Sequence, residues 1–291
     1  MKKTLYTLFA LLLTASLISW QWEKTQYPTL EKGEVIECLN METQQAYQLE
    51  ASQSKFANLH IAPAVVNPAD LLGTIVPFNA ADGKPGQAYF IPAKKKSDKW
   101  LIVIQEWWGL NDNIKMEADQ YFKDLGDVNV MAVDMYDGKV AATPDSAMKL
   151  MRGADMNRMV ALIQGAVKHA GPKASIYSVG WCFGGMWSLQ TAIIAGPQAK
   201  GSVMYYGRPE ANMEKLKSIQ CDIIGFFGNL DQSPSPAVVN DFEANMKLAG
   251  KNLTAYKYEA GHGFANPSNP SFNAAAKEDA YAKAIAFLKS H

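Results

Sequence analysis

Residues 175–185 read Ser-Ile-Tyr-Ser-Val-Gly-Trp-Cys-Phe-Gly-Gly. A β-prone run passes into Gly180-Trp181-Cys182-Phe183-Gly184, and the residues from Met186 to Ala195 suit a helix. In a glycine-x-nucleophile-x-glycine turn between strand and helix, the central residue sits in strained backbone. Strand and helix crowd together there, so the flanking positions have no room for side chains. The central residue here is Cys182. A thiol at a helix N-terminus is biased toward thiolate by the aligned peptide dipoles. The backbone N–H of Phe183 then stands where it can hold a developing oxyanion. The plain alternative is a buried structural cysteine in a turn of small residues.

Around this turn strands and helices alternate. Leu101-Ile102-Val103-Ile104 is an unbroken apolar run, expected of a strand buried on both faces. Ile114, Ala118, Tyr121, Phe122 and Leu125 recur on one helical face that ends at Gly126. Strands are predicted at 128–133, 175–179, 201–205, 222–227 and 253–258, with helices over 155–169 and 186–195. Thr143-Pro144 and Ser235-Pro236 read as helix starts, the second leading to Val239, Phe242 and Met246; Tyr281, Ile285 and Leu288 mark a closing helix. Alternation with short joints predicts a mainly parallel central sheet with helices on both faces. The sheet is expected to open at the Asp82-Gly83 turn and a strand over 87–91, and Lys94-Lys95-Lys96-Ser97-Asp98 reads as a solvated loop.

In such sheets ligands meet the loops at the carboxyl ends of the strands, so reactive residues just after apolar runs are the informative ones. Asp231 follows the strand ending at Phe227, in Gly228-Asn-Leu-Asp231, and His262 follows the strand ending at Tyr258, in Ala260-Gly-His262-Gly-Phe. The other three histidines, His60, His169 and His291, follow no strand. Nucleophile, acid and histidine in that chain order, each in its own post-strand loop, is the order of α/β-hydrolases. An ordinary turn aspartate and a loop histidine without catalytic role are the alternatives. A further loop, Gln105-Glu106-Trp107-Trp108-Gly109, follows residues 101–104. In this architecture it supplies the second oxyanion N–H, from Trp107. A glutamate pointing into a tryptophan-lined site is not there for packing, because burying an unpartnered charge is costly. Facing solvent, Glu106 would carry no such meaning.

Five segments make the resemblance specific: Gln-Glu-x-x-Gly-Leu-Asn (105–111), Asp-Met-Tyr-Asp-Gly-Lys (134–139), Gly-Trp-Cys-Phe-Gly-Gly (180–185), Tyr-Tyr-Gly (205–207) and Ala-Gly-His-Gly-Phe (260–264). Together they resemble the dienelactone hydrolase family over residues 82 to 291. The resemblance implies a single-domain α/β-hydrolase with a Cys-His-Asp triad: Cys182 as nucleophile, His262 as base and general acid, Asp231 orienting the imidazole. It also implies that Glu106 contacts the resting cysteine and helps to ionise it when substrate arrives. The enzymes of this family that open dienelactone hold its carboxylate with two arginines. This chain has Gly138-Lys139 near the first of those positions and Asn266 near the second. Lysine is a point charge and does not reproduce a bidentate fork. Lys139, and Arg208 just past Tyr205-Tyr206-Gly207, are the candidate anion contacts that remain. Trp107, Trp108 and Trp181 are expected to give an aromatic-walled, mostly apolar pocket for a small-molecule ester or lactone. No metal or nucleotide cofactor is implied, since no histidine-rich cluster, P-loop or dinucleotide fingerprint is present. The rival from another class is a non-catalytic binding protein on a hydrolase scaffold.

Composition supports this reading. Of 291 residues, 48% are apolar and 19% charged, a globular balance. Lys+Arg and Asp+Glu are both 28, so no basic field attracts nucleic acid. Lys2 and Lys3 ahead of the apolar residues 5–18 have the form of a secretory signal, too short for a comfortable membrane span. The expected organisation is a signal peptide over 1–19, cleaved near Ser16 or Ser19, an N-terminal extension over 20–81 and the hydrolase domain over 82–291. An uncleaved anchor is the alternative for the first segment. Export would expose a catalytic thiol to oxidation, and pairing of Cys38 with Cys221 would leave Cys182 free.

Overall fold

A computed structural model describes residues 71–291 of the chain. The segment read as a signal peptide, most of the extension, Cys38 and His60 lie outside the described residues. The strands are β1 (Thr74–Asn79), β2 (Pro85–Ile91), β3 (Lys99–Ile104), β4 (Asn129–Val133), β5 (Ser175–Trp181), β6 (Ala199–Tyr205), β7 (Asp222–Gly228) and β8 (Leu253–Tyr258). The helices are α1 (Asp112–Leu125), α2 (Pro144–Arg152), α3 (Met156–Ala170), α4 (Phe183–Ala195), α5 (Met213–Ser218), α6 (Pro236–Leu248) and α7 (Ala274–Ser290).

The eight strands form one sheet in the order β1-β2-β4-β3-β5-β6-β7-β8. From β4 to β8 every pair is parallel, while β1 and β2 join antiparallel. The chain steps outward from β3 to β4 and then returns to lay β5 on the other side of β3. Right-handed crossovers running in opposite directions place helices on opposite faces. Accordingly α1 packs with α7, and α3 with α4. The point between β3 and β5 where the strand order reverses is the place at the carboxyl edge where such sheets bind ligands.

The central strands are apolar throughout because both faces are covered. All of β4 is buried, and Leu101, Ile102, Val103 and Ile104 of β3 have no exposed surface. Each such side chain contributes roughly 1.5–3 kcal/mol of burial free energy. Helix α1 buries Ile114, Ala118, Tyr121 and Phe122, as its periodicity predicts, and Asn111 caps it by accepting from the Ile114 N–H. Thr143 and Ser146 form a reciprocal cap ahead of Pro144.

Two expectations need correction. Asp82-Gly83 does not open the sheet; it is the turn of a hairpin whose first arm is β1, so the boundary placed at 82 falls inside the hairpin. The reason β1 is hard to see is that it is an edge strand, mostly exposed, and contains Pro77. Helix α4, which follows Cys182, starts at Phe183 rather than Met186, because Gly184 and Gly185 are helical for reasons of packing that outweigh their poor propensity. Helix α5, six residues long, is too short to show a periodicity in the sequence.

Candidate active site

Cys182 follows β5 and precedes α4 with φ 56° and ψ −118°, a left-handed φ that a residue with a Cβ adopts only when its surroundings impose it. Two glycines show what imposes it. A Cβ on Gly180 would lie 2.1 Å from the Gly184 carbonyl oxygen, and one on Gly184 would lie 2.3 Å from the Ile104 carbonyl oxygen. The helix therefore presses on both its own strand and β3, and the connecting residue turns sharply. Cys182 is 1% exposed. Phe183 is the first residue of α4, where backbone N–H groups point out of the helix, and Trp107 lies in the loop directly after β3.

The structure brings the three sequence-distant residues together. Asp231, in the loop after β7, and His262, in the loop after β8, are both buried, and Asp231 Oδ2 lies 2.8 Å from His262 Nδ1. Asp231 is itself held, because Oδ1 accepts from the Ser233 N–H at 2.8 Å. Burial alone would lower the imidazole pKa. The charges of Asp231 and Cys182, and the hydrogen bonds to both, outweigh burial and raise it well above the ordinary histidine value. His262 thus connects Asp231 to Cys182, and its cationic form is favoured while the thiol is ionised. The Tyr206 ring packs edge-on against His262 at 5.1 Å, from a residue that also carries a positive φ of 36°.

Glu106 is buried, and its Oε2 accepts from Asn266 Nδ2 at 2.8 Å. Burial pushes its pKa up to about 7, opposed by the positive charge of His262 and by the Asn266 hydrogen bond. The partner is a neutral amide. A carboxyl whose native pKa exceeds its unfolded value binds more protons folded than unfolded between the two. Stability therefore falls as pH rises through that window, and the penalty is complete above about pH 7 and absent below about pH 4. Raising a carboxyl from its ordinary value to about 7 costs on the order of 3 kcal/mol once it is ionised. Glu106→Gln, which keeps an acceptor for Asn266, is expected to gain about 2–3 kcal/mol of unfolding free energy at pH 8 and almost nothing at pH 4. Urea unfolding at both pH values checks this, and an equal effect at the two would count against it.

The substrate-binding candidates divide. Trp107 and Trp108 are fully buried beside the site and meet edge to face at 5.2 Å. Lys139 is exposed and Arg208 half-buried. Trp181 is buried; its ring stacks on Tyr205 at 5.5 Å and tilts against Tyr121 of α1. Two tyrosines of the Asp-Met-Tyr and Tyr-Tyr-Gly segments also lie here. Tyr136 and Tyr206 both bury a hydroxyl that meets no hydrogen-bond partner among the described residues, and burial raises both phenols well above their ordinary value, aided at Tyr136 by the charge of Cys182 and at Tyr206 by those of Glu106 and Cys182. Cys221, just ahead of β7, is a free thiol whose pKa burial pushes up to about 12, so it is a poor nucleophile; its pairing with Cys38 involves a residue outside the described ones. Among the described residues no group of three His, Cys, Asp or Glu side chains is placed to hold a metal ion, and no helix is long and apolar enough to cross a membrane.

Comparison with known proteins agrees with the fold described above. The dienelactone hydrolase family model matches residues 87–291. Protein usf of Aquifex pyrophilus is 28% identical over 216 residues, which cover 69% of this chain and 92% of that protein. Carboxymethylenebutenolidase 1 of Cupriavidus pinatubonensis is 25% identical over 202 residues, 65% of this chain and 84% of that protein. Among solved structures, a dienelactone hydrolase-like promiscuous phosphotriesterase from metagenomic libraries superposes with a TM-score of 0.62 at 23% identity, covering 75% of this chain and 98% of that one, a likeness of fold. With an α/β-hydrolase sheet, a strained elbow and a family match over most of its length, the chain belongs to the dienelactone hydrolase family of hydrolases.

Proposed function

We propose that the protein hydrolyses small neutral carboxylic esters or lactones through a covalent acyl-thiol on Cys182. The observation that carries this is the buried line from Asp231 through His262 to Cys182. Cys182 thiolate attacks the carbonyl while the Trp107 and Phe183 N–H groups hold the oxyanion, and His262 protonates the leaving oxygen. His262 then takes a proton from water, which attacks the acyl-thiol and releases the acid. Each oxyanion donor is worth ~3 kcal/mol of barrier. Glu106, ionised above about pH 7, favours the thiolate–imidazolium pair through its attraction to His262.

Neutral substrates are favoured because Asn266 meets Glu106 with an uncharged amide at the position where dienelactone-opening enzymes carry an arginine. A panel of matched neutral and anionic aryl esters, lactones and enol-lactones tests this, with kcat/KM for the neutral members expected to exceed that of the anionic ones by about tenfold or more, the scale of one charge-assisted contact. Preference for the anionic members would reject neutral specificity and point to Arg208 or Lys139 as the anion contact. No turnover on any member would favour the rival reading, a binding protein on a hydrolase scaffold. Export, with cleavage near Ser16 or Ser19, is part of the proposal and rests on the charged and apolar pattern of residues 1–19.

A further inference from the structure

Tyr136 belongs to the loop after β4, the strand beyond β3 from the nucleophile, and so stands on the side of Cys182 away from His262. That is the oxyanion side, where the β3 loop with Trp107 also lies. Its ring packs against Phe183, the residue after the nucleophile, at 5.6 Å. The loop is held firmly. Asp134 accepts from the Tyr136 and Gly138 N–H groups, the Met135 N–H donates to Gln105 Oε1 at 3.2 Å, and the Ala141 N–H donates to the Trp108 carbonyl at 2.8 Å. From outside, the Arg158 guanidinium clasps Asp137 and Asp82.

The phenol held in this way is unusual in having nothing to bond. Its oxygen is buried and meets no hydrogen-bond partner among the described residues. A phenylalanine would fill the same space without the desolvation cost of an unsatisfied hydroxyl. Burial raises the phenol pKa well above its ordinary value, and Cys182 is the charged group that raises it further, so the oxygen stays protonated as a donor within electrostatic reach of the nucleophile.

Resting on the thiol-hydrolase reading above, we propose that the Tyr136 hydroxyl is a third hydrogen-bond donor to the substrate carbonyl oxygen, joining the Trp107 and Phe183 N–H groups in the tetrahedral state. The Cys182 Sγ lone pair forms the S–C bond as the carbonyl π pair moves onto oxygen. Tyr136 keeps its proton and donates a hydrogen bond to that oxygen. When the pair returns, the C–O bond to the leaving group breaks and the alkoxide takes its proton from His262.

The test uses the mature chain and Tyr136→Phe with four readouts. For a donor used only in the tetrahedral state, kcat on the best ester falls about 100-fold while KM moves little. Affinity for a trifluoromethyl ketone, which forms an oxyanion on Cys182, falls by a similar factor. The rate of Cys182 alkylation by chloroacetamide, a displacement that forms no oxyanion, is unchanged. The unfolding temperature is equal or higher, because an unsatisfied hydroxyl has been removed. Unchanged kcat and ketone affinity would overturn the proposal, a parallel loss of alkylation rate would assign the hydroxyl to the thiolate instead, and a lowered unfolding temperature would make its role structural. Loss of turnover in Cys182→Ala alongside an unaffected Tyr136→Phe would sink only this inference. Full turnover in Cys182→Ala would remove the reading beneath it.

Discussion

Cys182→Ala is expected to lower kcat for any ester substrate by about 10⁶-fold, with the fold intact. The side chain lost is one sulfur atom at a position 1% exposed, and alanine enters the same strained backbone at no greater strain than cysteine. Removing that atom from a packed interior costs on the order of 1 kcal/mol, too little to unfold a domain of this size. The catalytic loss is far larger because nothing nearby replaces the nucleophile: Cys221 lies before β7, away from the carboxyl edge of the sheet, and its thiol is held un-ionised by burial. The substitution also has an electrostatic signature. Cys182 is one of the groups that raise the His262 pKa, so the imidazole should titrate at lower pH in the variant, as read by NMR of the ring protons. Turnover within tenfold of the parent would place the hydrolytic centre elsewhere.

Asp231→Asn should cost about 10⁴-fold in kcat, the loss typical when the histidine of such a triad is held in the wrong tautomer. Asparagine keeps the acceptor for the Ser233 N–H through its carbonyl oxygen, so the loop stays in place. The atom facing His262 Nδ1, where Oδ2 lay at 2.8 Å, then becomes an N–H donor. As a donor it forces the ring proton onto the nitrogen that must accept from Cys182. The stability effect has a defined sign. A histidine whose native pKa is raised contributes stability that is complete below its unfolded value of about 6.5 and fades as pH rises through the native value. Much of the rise here comes from Asp231, so the gap in unfolding free energy between parent and variant should be widest near pH 5–6 and shrink at alkaline pH. A gap independent of pH would show that the carboxylate does not stabilise the imidazolium.

Much of this was legible in the chain itself, for identifiable physical reasons. Strands β3 and β4 announce themselves because a strand covered on both faces has to be apolar throughout, and α1 does so because its one buried face leaves a 3.6-residue rhythm. The elbow was readable because only glycine fits where Gly180 and Gly184 meet opposing backbone. Asp231 and His262 could be paired because each follows a recognisable strand. What could not be read depends on contacts remote in sequence. Edge strand β1 buries little and so has no pattern to show. Trp181 alternates into the core along β5 and is taken up by Tyr205 and Tyr121, two residues whose approach no local rule foretells. The Asn266 contact that leaves Glu106 with a neutral partner spans 160 residues of sequence. The unsatisfied hydroxyls of Tyr136 and Tyr206 are visible only once their surroundings are assembled.

The proposed mechanism requires that Cys182 carries the acyl group. Acid quenching of the enzyme within milliseconds of mixing with excess activated aryl ester, followed by intact and peptide mass analysis, tests it directly. The expected result is a mass increase equal to the acyl group, confined to the peptide that contains Cys182, formed in a burst of product and gone after substrate is exhausted. Steady turnover with no adduct at any time, or an adduct on another residue, would contradict it.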